Sequence, residues 1–296
     1  MHFLAGLATA ILALVQATFG LAPTQARAAV LFGGDMMFDR TIRTTIAEKG
    51  GDFIFSCIDD TLQSTDLVVA NLEGPITAAS SLSEGTPIGS SGNYVFTFPP
   101  STAELLAAHR IAIVNLGNNH ILNFGASGVR STESALARAG VGYFGDIGGE
   151  RVVYRTVRSG VRLAFINYNE FGGNASTALA QIKATRAAGE LPIVYAHWGV
   201  EYASASSANS RELAHRFVDA GAVLVVGSHP HVVQEHETYR GVPIYYSLGN
   251  FIFDQYWNDA VRRGLLLKVV FTAQGAASIR EIPIELEHDR RTCPVQ

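Results

Sequence analysis

The sequence predicts an α/β fold in which a largely parallel sheet carries helices and a second sheet packs against it. Three observations point there. Short runs of small and β-branched residues, at 29–33 (AVLFG), 66–72 (DLVVANL), 111–116 (IAIVNL), 191–196 (LPIVYA) and 222–227 (AVLVVG), read as strands buried on both faces. Segments of helical period fall between them, as crossover connections between parallel strands require. In the second half, residues 151–169 and 265–286 alternate polar and apolar, as antiparallel hairpins do, and imply the second sheet.

In chain order, an apolar leader comes first. Residues 3–15 are almost wholly apolar and Ala26-Arg27-Ala28 fits a small-x-small cleavage pattern, so 1–28 reads as a signal peptide and 29–296 as one domain. No Lys or Arg precedes the apolar run, which leaves an uncleaved membrane anchor or cytoplasmic residence as the alternatives to a secreted or periplasmic protein. The strand at 29–33 closes on Gly34-Asp35, and a helix over 39–49 follows. The strand at 66–72 ends at Glu73-Gly74-Pro75. Residues 77–92, rich in Ser, Gly and Thr, have no packing period; a loop this long suits a lid or binding loop. Ser101 and Glu104 have capping-box spacing for a helix over 101–109. The strand at 111–116 closes on Gly117-Asn118-Asn119-His120, and a helix over 128–139 stops at Gly140. Ser159-Gly160 is a hairpin signal. A helix over 174–188, a strand ending at His197-Trp198-Gly199, and a helix over 211–220 lead into 222–227. A further strand, 242–248, ends at Gly249-Asn250.

With 296 residues, 48% of them hydrophobic, the chain can bury one large core. A formal net charge of −4 gives no general attraction to nucleic acid or anionic lipid, so any anionic substrate must be held by local cations or a metal. The two cysteines, Cys57 and Cys293, form no CxxC pair; a thiolate metal site is disfavoured, and two free thiols are expected over the disulfide that an oxidising compartment would permit.

The chemistry concentrates at the strand ends. Asp35, Glu73, Asn119 with His120, His197, and His229 with His231 stand just past the carboxyl ends of buried strands, the edge where open α/β sheets bind ligands. Pro230 fixes φ and lacks an N–H, so the dipeptide around it leaves the ladder and holds two imidazoles outside it. Carboxylate, imidazole and amide oxygen together suit one or two divalent ions such as Mn, Fe or Zn. A metal pair would need a bridging carboxylate, for which Glu73 is placed, and could activate a water. His120, next to a ligand candidate, can enter the cleft as a general acid. Arg40 and the Asn250 amide are candidates for gripping an anionic substrate. Glu201 and Tyr202 are candidates for orienting His197, and Trp198 reads as packing.

Six blocks carry a resemblance: Gly34-Asp35-Met36-Met37-Phe38-Asp39-Arg40, Asn71-Leu72-Glu73-Gly74-Pro75, Asn118-Asn119-His120, His197-Trp198-Gly199-Val200-Glu201-Tyr202, Gly227-Ser228-His229-Pro230-His231-Val232-Val233-Gln234 and Ser247-Leu248-Gly249-Asn250-Phe251. In this order the chain resembles the CapA family of poly-γ-glutamate capsule proteins, itself similar to the calcineurin-like metallophosphoesterases. The resemblance implies a four-layer α/β/β/α sandwich of two mixed sheets. It also implies roles: Asp35 and His231 on one metal, Glu73 as the bridge, Asn119, His197 and His229 on a second metal, and His120 as proton donor. Two positions depart from the pattern. Met37 stands where the superfamily has a His, leaving water or Asp39 to complete the first site. Asn123 stands where the pattern has Asp, which removes a carboxylate from His120. The expected function is an exported, metal-dependent hydrolase of capsule or poly-γ-glutamate metabolism, cleaving a phosphoester or γ-glutamyl bond. The alternative is a non-catalytic accessory protein that binds polymer or capsule synthesis and export proteins. No nucleic-acid partner is expected.

Overall fold

The computed structural model describes residues 26–145 and 153–295. The expected signal peptide therefore lies outside the described residues except for its last three. The first half supplies β1 (Ala28–Met36), α1 (Arg40–Lys49), α2 (Gly51–Phe55), α3 (Asp59–Gln63), β2 (Leu67–Leu72), α4 (Thr102–Ala108), β3 (Ile111–Asn115), α5 (Gly125–Ala139) and β4 (Gly142–Phe144). The middle supplies β5 (Val153–Arg158), β6 (Val161–Asn169), α6 (Ala175–Ala187), β7 (Leu191–His197), α7 (Ala208–Asp219), β8 (Leu224–Ser228), β9 (His236–Tyr239) and β10 (Val242–Tyr245). The tail adds β11 (Asn250–Ile252), α8 (Asp259–Arg262), β12 (Arg263–Thr272), β13 (Gly275–Leu286) and β14 (Thr292–Pro294).

Two mixed sheets result. One runs β14-β13-β12-β1-β2-β3-β4, with β11 also paired to β1; the other runs β5-β6-β7-β8-β10-β9. Side chains alternate across each strand, so the apolar runs feed two cores at once. Val68 and Ala70 of β2 pack outward on Ile42, Leu62, Leu106 and Leu136 of the helices. Leu67 and Val69 pack inward, in a core shared with Phe165, Ile193 and Val226 of the other sheet. Val194 and Val225 then face Ile182 of α6 and Leu213 and Phe217 of α7. The order of layers is thus helix, sheet, sheet, helix, the four-layer α/β/β/α sandwich expected.

Differences from the sequence reading have local causes. The hairpin at 265–286 does not build the second sheet: β12 pairs antiparallel with β1 and extends the first. The second sheet takes the β5–β6 and β9–β10 hairpins instead. Ser159 and Gly160 both have positive φ, as a two-residue type I′ turn demands. Ser101 makes no side-chain cap, because its backbone is already helical (φ −65°, ψ −11°) where a capping residue's is extended. β4, β9 and β14, three or four residues each, are too short to show a period. No helix among the described residues is long and apolar enough to cross a membrane.

The two cysteines are not free thiols. Cys57, in the turn between α2 and α3, is bonded to Cys293 in β14, with Cα atoms 4.8 Å apart. A separation of 236 residues hid the pair; the β13–β14 turn brings the tail back under the helical layer. Such a link stabilises chiefly by restricting the unfolded chain, typically by about 2–4 kcal/mol. Cys57→Ser and Cys293→Ser are expected to lose stability of that order in urea titrations, and reductant is expected to lower wild-type stability without affecting either variant.

Candidate metal centre

The carboxyl ends of β1, β2, β3, β7 and β8 converge on one rim where the two sheets meet. Asp35 lies within β1 and not after it, because β11 pairs alongside in register Asp35 with Asn250. That approach needs Gly34: a Cβ there would stand 1.8 Å from the Gly249 carbonyl oxygen. Past β8, His229 has φ 97° and His231 φ 58°, left-handed conformations that side chains other than glycine rarely adopt. The turn through Pro230 thereby aims both rings at the rim, and the His229 amide donates to Asp35 Oδ2 at 3.0 Å.

Asp35, Glu73 and His231 form the centre. One ligand atom from each lies within 4.8 Å of the others, and all three residues are buried. His231 Nδ1 donates to Asn250 Oδ1 at 3.0 Å, which leaves Nε2 with a lone pair, 3.6 Å from Glu73 Oε1. Glu73 Oε1 has no hydrogen-bond partner; neither has the buried Nδ1 of His229. Two electron-rich atoms, Glu73 Oε1 and His231 Nε2, therefore face one another in a buried site. Buried polar atoms are rarely left so. A divalent cation is the group that this donor set fits, with an imidazole whose other nitrogen is fixed from behind.

The remaining residues read from the sequence arrive at the same rim. His197 Nδ1 is 3.9 Å from Asp35 Oδ1 and 2.9 Å from the Ser228 hydroxyl, and its Nε2 is 2.9 Å from Asn119 Oδ1. The rings of His197 and His229 are 4.8 Å apart. His120 Nε2 is 3.9 Å from Glu73 Oε1, and its Nδ1 donates to Asn123 Oδ1 at 3.2 Å. The Asn123 oxygen also accepts from the Phe96 amide, so this side chain orients His120 without adding charge.

Several assignments change. Asn250 does not face a substrate: it is buried behind His231 and its amide nitrogen donates to the His231 and Val261 carbonyls and to Gln255. Arg40 is paired with Asp254 and Asn93, its guanidinium lying over Phe96 and Phe253. Asp39 cannot complete the first site, since it caps α1 and accepts from Arg40, Arg43 and Thr97. Met37 is buried in the helix-side core, its sulfur accepting from the Asp39 amide. Tyr202 packs on His231, ring centroids 6.0 Å apart, and not on His197. Trp198 is core packing, its Nε1 donating to the Tyr246 carbonyl.

Sequence reasoning missed a stack of buried amides. Asn71 Nδ2 donates to Asp35 Oδ1 at 2.8 Å and reaches Glu73 Oε2 at 3.4 Å. Asn71 Oδ1 accepts from Asn115 and Asn118, and Asn115 Oδ1 accepts from Asn167 of the second sheet. The signal was present: Asn71 and Asn115 each interrupt an apolar strand, and a buried amide needs partners.

Burial governs the electrostatics. Desolvation raises Asp35 to about 6, and raises Glu73 well above the usual carboxylate range, with the Asp35 charge adding to the effect. Desolvation also lowers His120 and His229 to about 4, His231 to about 3, and His197 well below its ordinary value. The imidazoles are held neutral, as ligation requires, and the two carboxylates are held above their ordinary range.

A profile of the family described as bacterial capsule synthesis protein PGA_cap matches residues 29–255. The chain belongs to this family. Among PGA_cap relatives, the PGA biosynthesis protein CapA of Bacillus subtilis (strain 168) is 27% identical over 285 residues, covering 90% of this chain and 73% of that protein. The capsule biosynthesis protein CapA of Bacillus anthracis is 28% identical over 302 residues, covering 92% and 72%. A probable polyglutamine synthesis accessory protein of Mycobacterium tuberculosis is 30% identical over 220 residues, covering 64% and 56%. The crystal structure of TT1561 of Thermus thermophilus covers 83% of this chain and 99% of its own at TM-score 0.45 and 13% identity.

Two outcomes follow. Metal uptake by metal-free protein competes with protons on Asp35 and Glu73, not on the histidines. Apparent affinity, measured by calorimetry, is expected to rise as pH increases through about 6 and to fall below it, whereas histidine control would place the change near the depressed imidazole values. Asn71→Ala leaves both carboxylates without their shared donor, and is expected to weaken metal binding by about 10–100-fold.

Proposed function

We propose that the protein is a metal-dependent hydrolase of capsule or poly-γ-glutamate metabolism that acts outside the cytoplasm. The observation that carries this is the partnerless Glu73 oxygen facing the free Nε2 of His231, with His120 3.9 Å from the same oxygen. Asp35, Glu73 and His231 would hold one divalent ion, and Asn119, His197 and His229, with Glu73 as a bridge, would hold a second. An ion of this kind, Mn, Fe or Zn, supplies a Lewis acid and lowers the pKa of water. Three protein ligands, fewer than the four of a closed structural site, resemble a catalytic one.

The protein's own residues do the rest. Asn250 holds His231 in the tautomer that presents Nε2, Asn71 holds the two carboxylates together, and Ser228 orients His197 through Nδ1. His120, oriented by Asn123 through Nδ1, presents an unprotonated Nε2 to the site, where it would take up a proton from the attacking water and pass it to a departing oxygen or nitrogen. The bond cleaved is a phosphoester or a γ-glutamyl amide. The names of the Bacillus relatives support a polymer of that metabolism as substrate, and capsule synthesis proteins as partners. The Cys57–Cys293 disulfide supports export, since such bonds persist in oxidising compartments.

A second reading, an accessory protein that binds polymer without cleaving it, is favoured by one observation. With Met37 in the core and Asn123 uncharged, the site lacks a ligand and His120 lacks a carboxylate partner. Hydrolysis of aryl phosphates and of poly-γ-glutamate, with metal added and metal content measured, separates the two. His120→Ala is expected to retain metal and lose roughly 10²–10⁴-fold in kcat, and His229→Ala to lose both metal and activity. Metal-loaded wild type inert toward every ester and amide would favour the accessory reading.

A further inference from the structure

We propose that the cavity beside the metal centre is a chain-binding subsite for an oligomer whose units are joined by amides and carry carboxylates. The proposal rests on the site reading above and names how its polymer is held. The cavity encloses about 560 Å³, and Arg40, Tyr94, Tyr202, Asp254, Trp257 and Arg290 are among its walls. That volume is ordinary for a ligand site.

Tyr94, Tyr202 and Trp257 are 44%, 42% and 49% exposed, three large aromatic rings left open around one space. Trp257 meets Tyr202 edge-on at 5.5 Å, and the Tyr202 ring in turn lies against His231 at 6.0 Å. A chain laid across Tyr202 thus leads directly to the metal centre. Flat amide groups stack on such faces with little loss of side-chain freedom.

The cations decide the chemistry of the chain. Arg40 is nine-tenths buried, and its Nε has no partner although its terminal nitrogens are held by Asp254 and Asn93. Because Asp254 balances Arg40, the cavity's net positive charge comes from Arg290, whose guanidinium lies over Tyr256 at 4.7 Å and whose Nε donates to Thr41. Planar guanidinium groups set beside aromatic walls match planar carboxylates. A neutral glycan would use the rings and leave Arg290 idle. Strain gathers here as well. Among the described residues eight other than glycine have positive φ, and Arg40, Tyr202 and Arg290 line this cavity while His229 and His231 stand at the metal centre. Such conformations persist where surrounding structure enforces them, and cluster at functional sites.

The test uses Trp257 as reporter, since the protein's other tryptophan, Trp198, is buried in a core. The full protein in chelator is titrated with short γ-linked glutamate oligomers and followed by fluorescence, with calorimetry in parallel. A saturable change is expected. It should weaken with added salt, weaken about tenfold in Arg290→Ala, and weaken in Tyr202→Ala more than in Tyr202→Phe. Trp257→Phe should lose the optical signal while heat of binding remains. Absence of saturable binding, equal binding of neutral glutamine oligomers or of a neutral glycan, or an Arg290→Ala variant indistinguishable from wild type would overturn the proposal. Binding without any hydrolysis would sink only the hydrolase reading, whereas hydrolysis with KM unchanged in both cavity variants would sink only this one.

Discussion

Everything at the rim depends on one constraint: two carboxylates are brought together out of water with no positive side chain between them. Burying unpaired charge in a dry interior is costly. Arg40, the cation whose charge reaches Glu73, is itself tied to Asp254. The folded protein therefore holds a place for a positive group it does not supply, and the raised acidities of Asp35 and Glu73 are the same fact seen in titration. The depressed histidines complete it, for a charged imidazole would have been the easy internal remedy, and burial denies it.

The architecture meets that constraint with neutral donors. Asn71, Asn115, Asn118 and Asn167 pass hydrogen bonds from the second sheet to Asp35 without contributing charge. A lysine in place of Asn71 would have satisfied the carboxylates and closed the site to a metal. The stack also joins the strand ends of both sheets, so the distance between Asp35 of one and His197 of the other is fixed by amides as well as by the apolar core beneath them. Precision at the rim and indifference to charge come from the same residues.

The sequence was informative where chemistry and strand period coincide. Asp35, Glu73, Asn119, His197, His229 and His231 each follow or end a run that can only be a buried strand, and parallel strands deliver such residues to one edge. It was uninformative where partners lie far apart in the chain. Arg40 and Asn250 are polar residues near the rim, and nothing in their spacing tells which way they face; one proved to be paired with Asp254 and the other to stand behind His231. The amide stack escaped notice because each asparagine alone looks like a flaw in a strand. The disulfide escaped for the same reason of distance, and β4, β9 and β14 because so few residues carry no period.

The bond between Cys57 and Cys293 has a topological consequence. It closes nearly all of the folded polypeptide into a covalent ring, with β1 and the first two helices left as a tail on one side of the closure. A single cut anywhere between those two positions, the open loop at 77–92 included, opens the ring but separates nothing. Outside a reducing environment, the strand ends that assemble the rim would remain parts of one molecule after a first proteolytic wound.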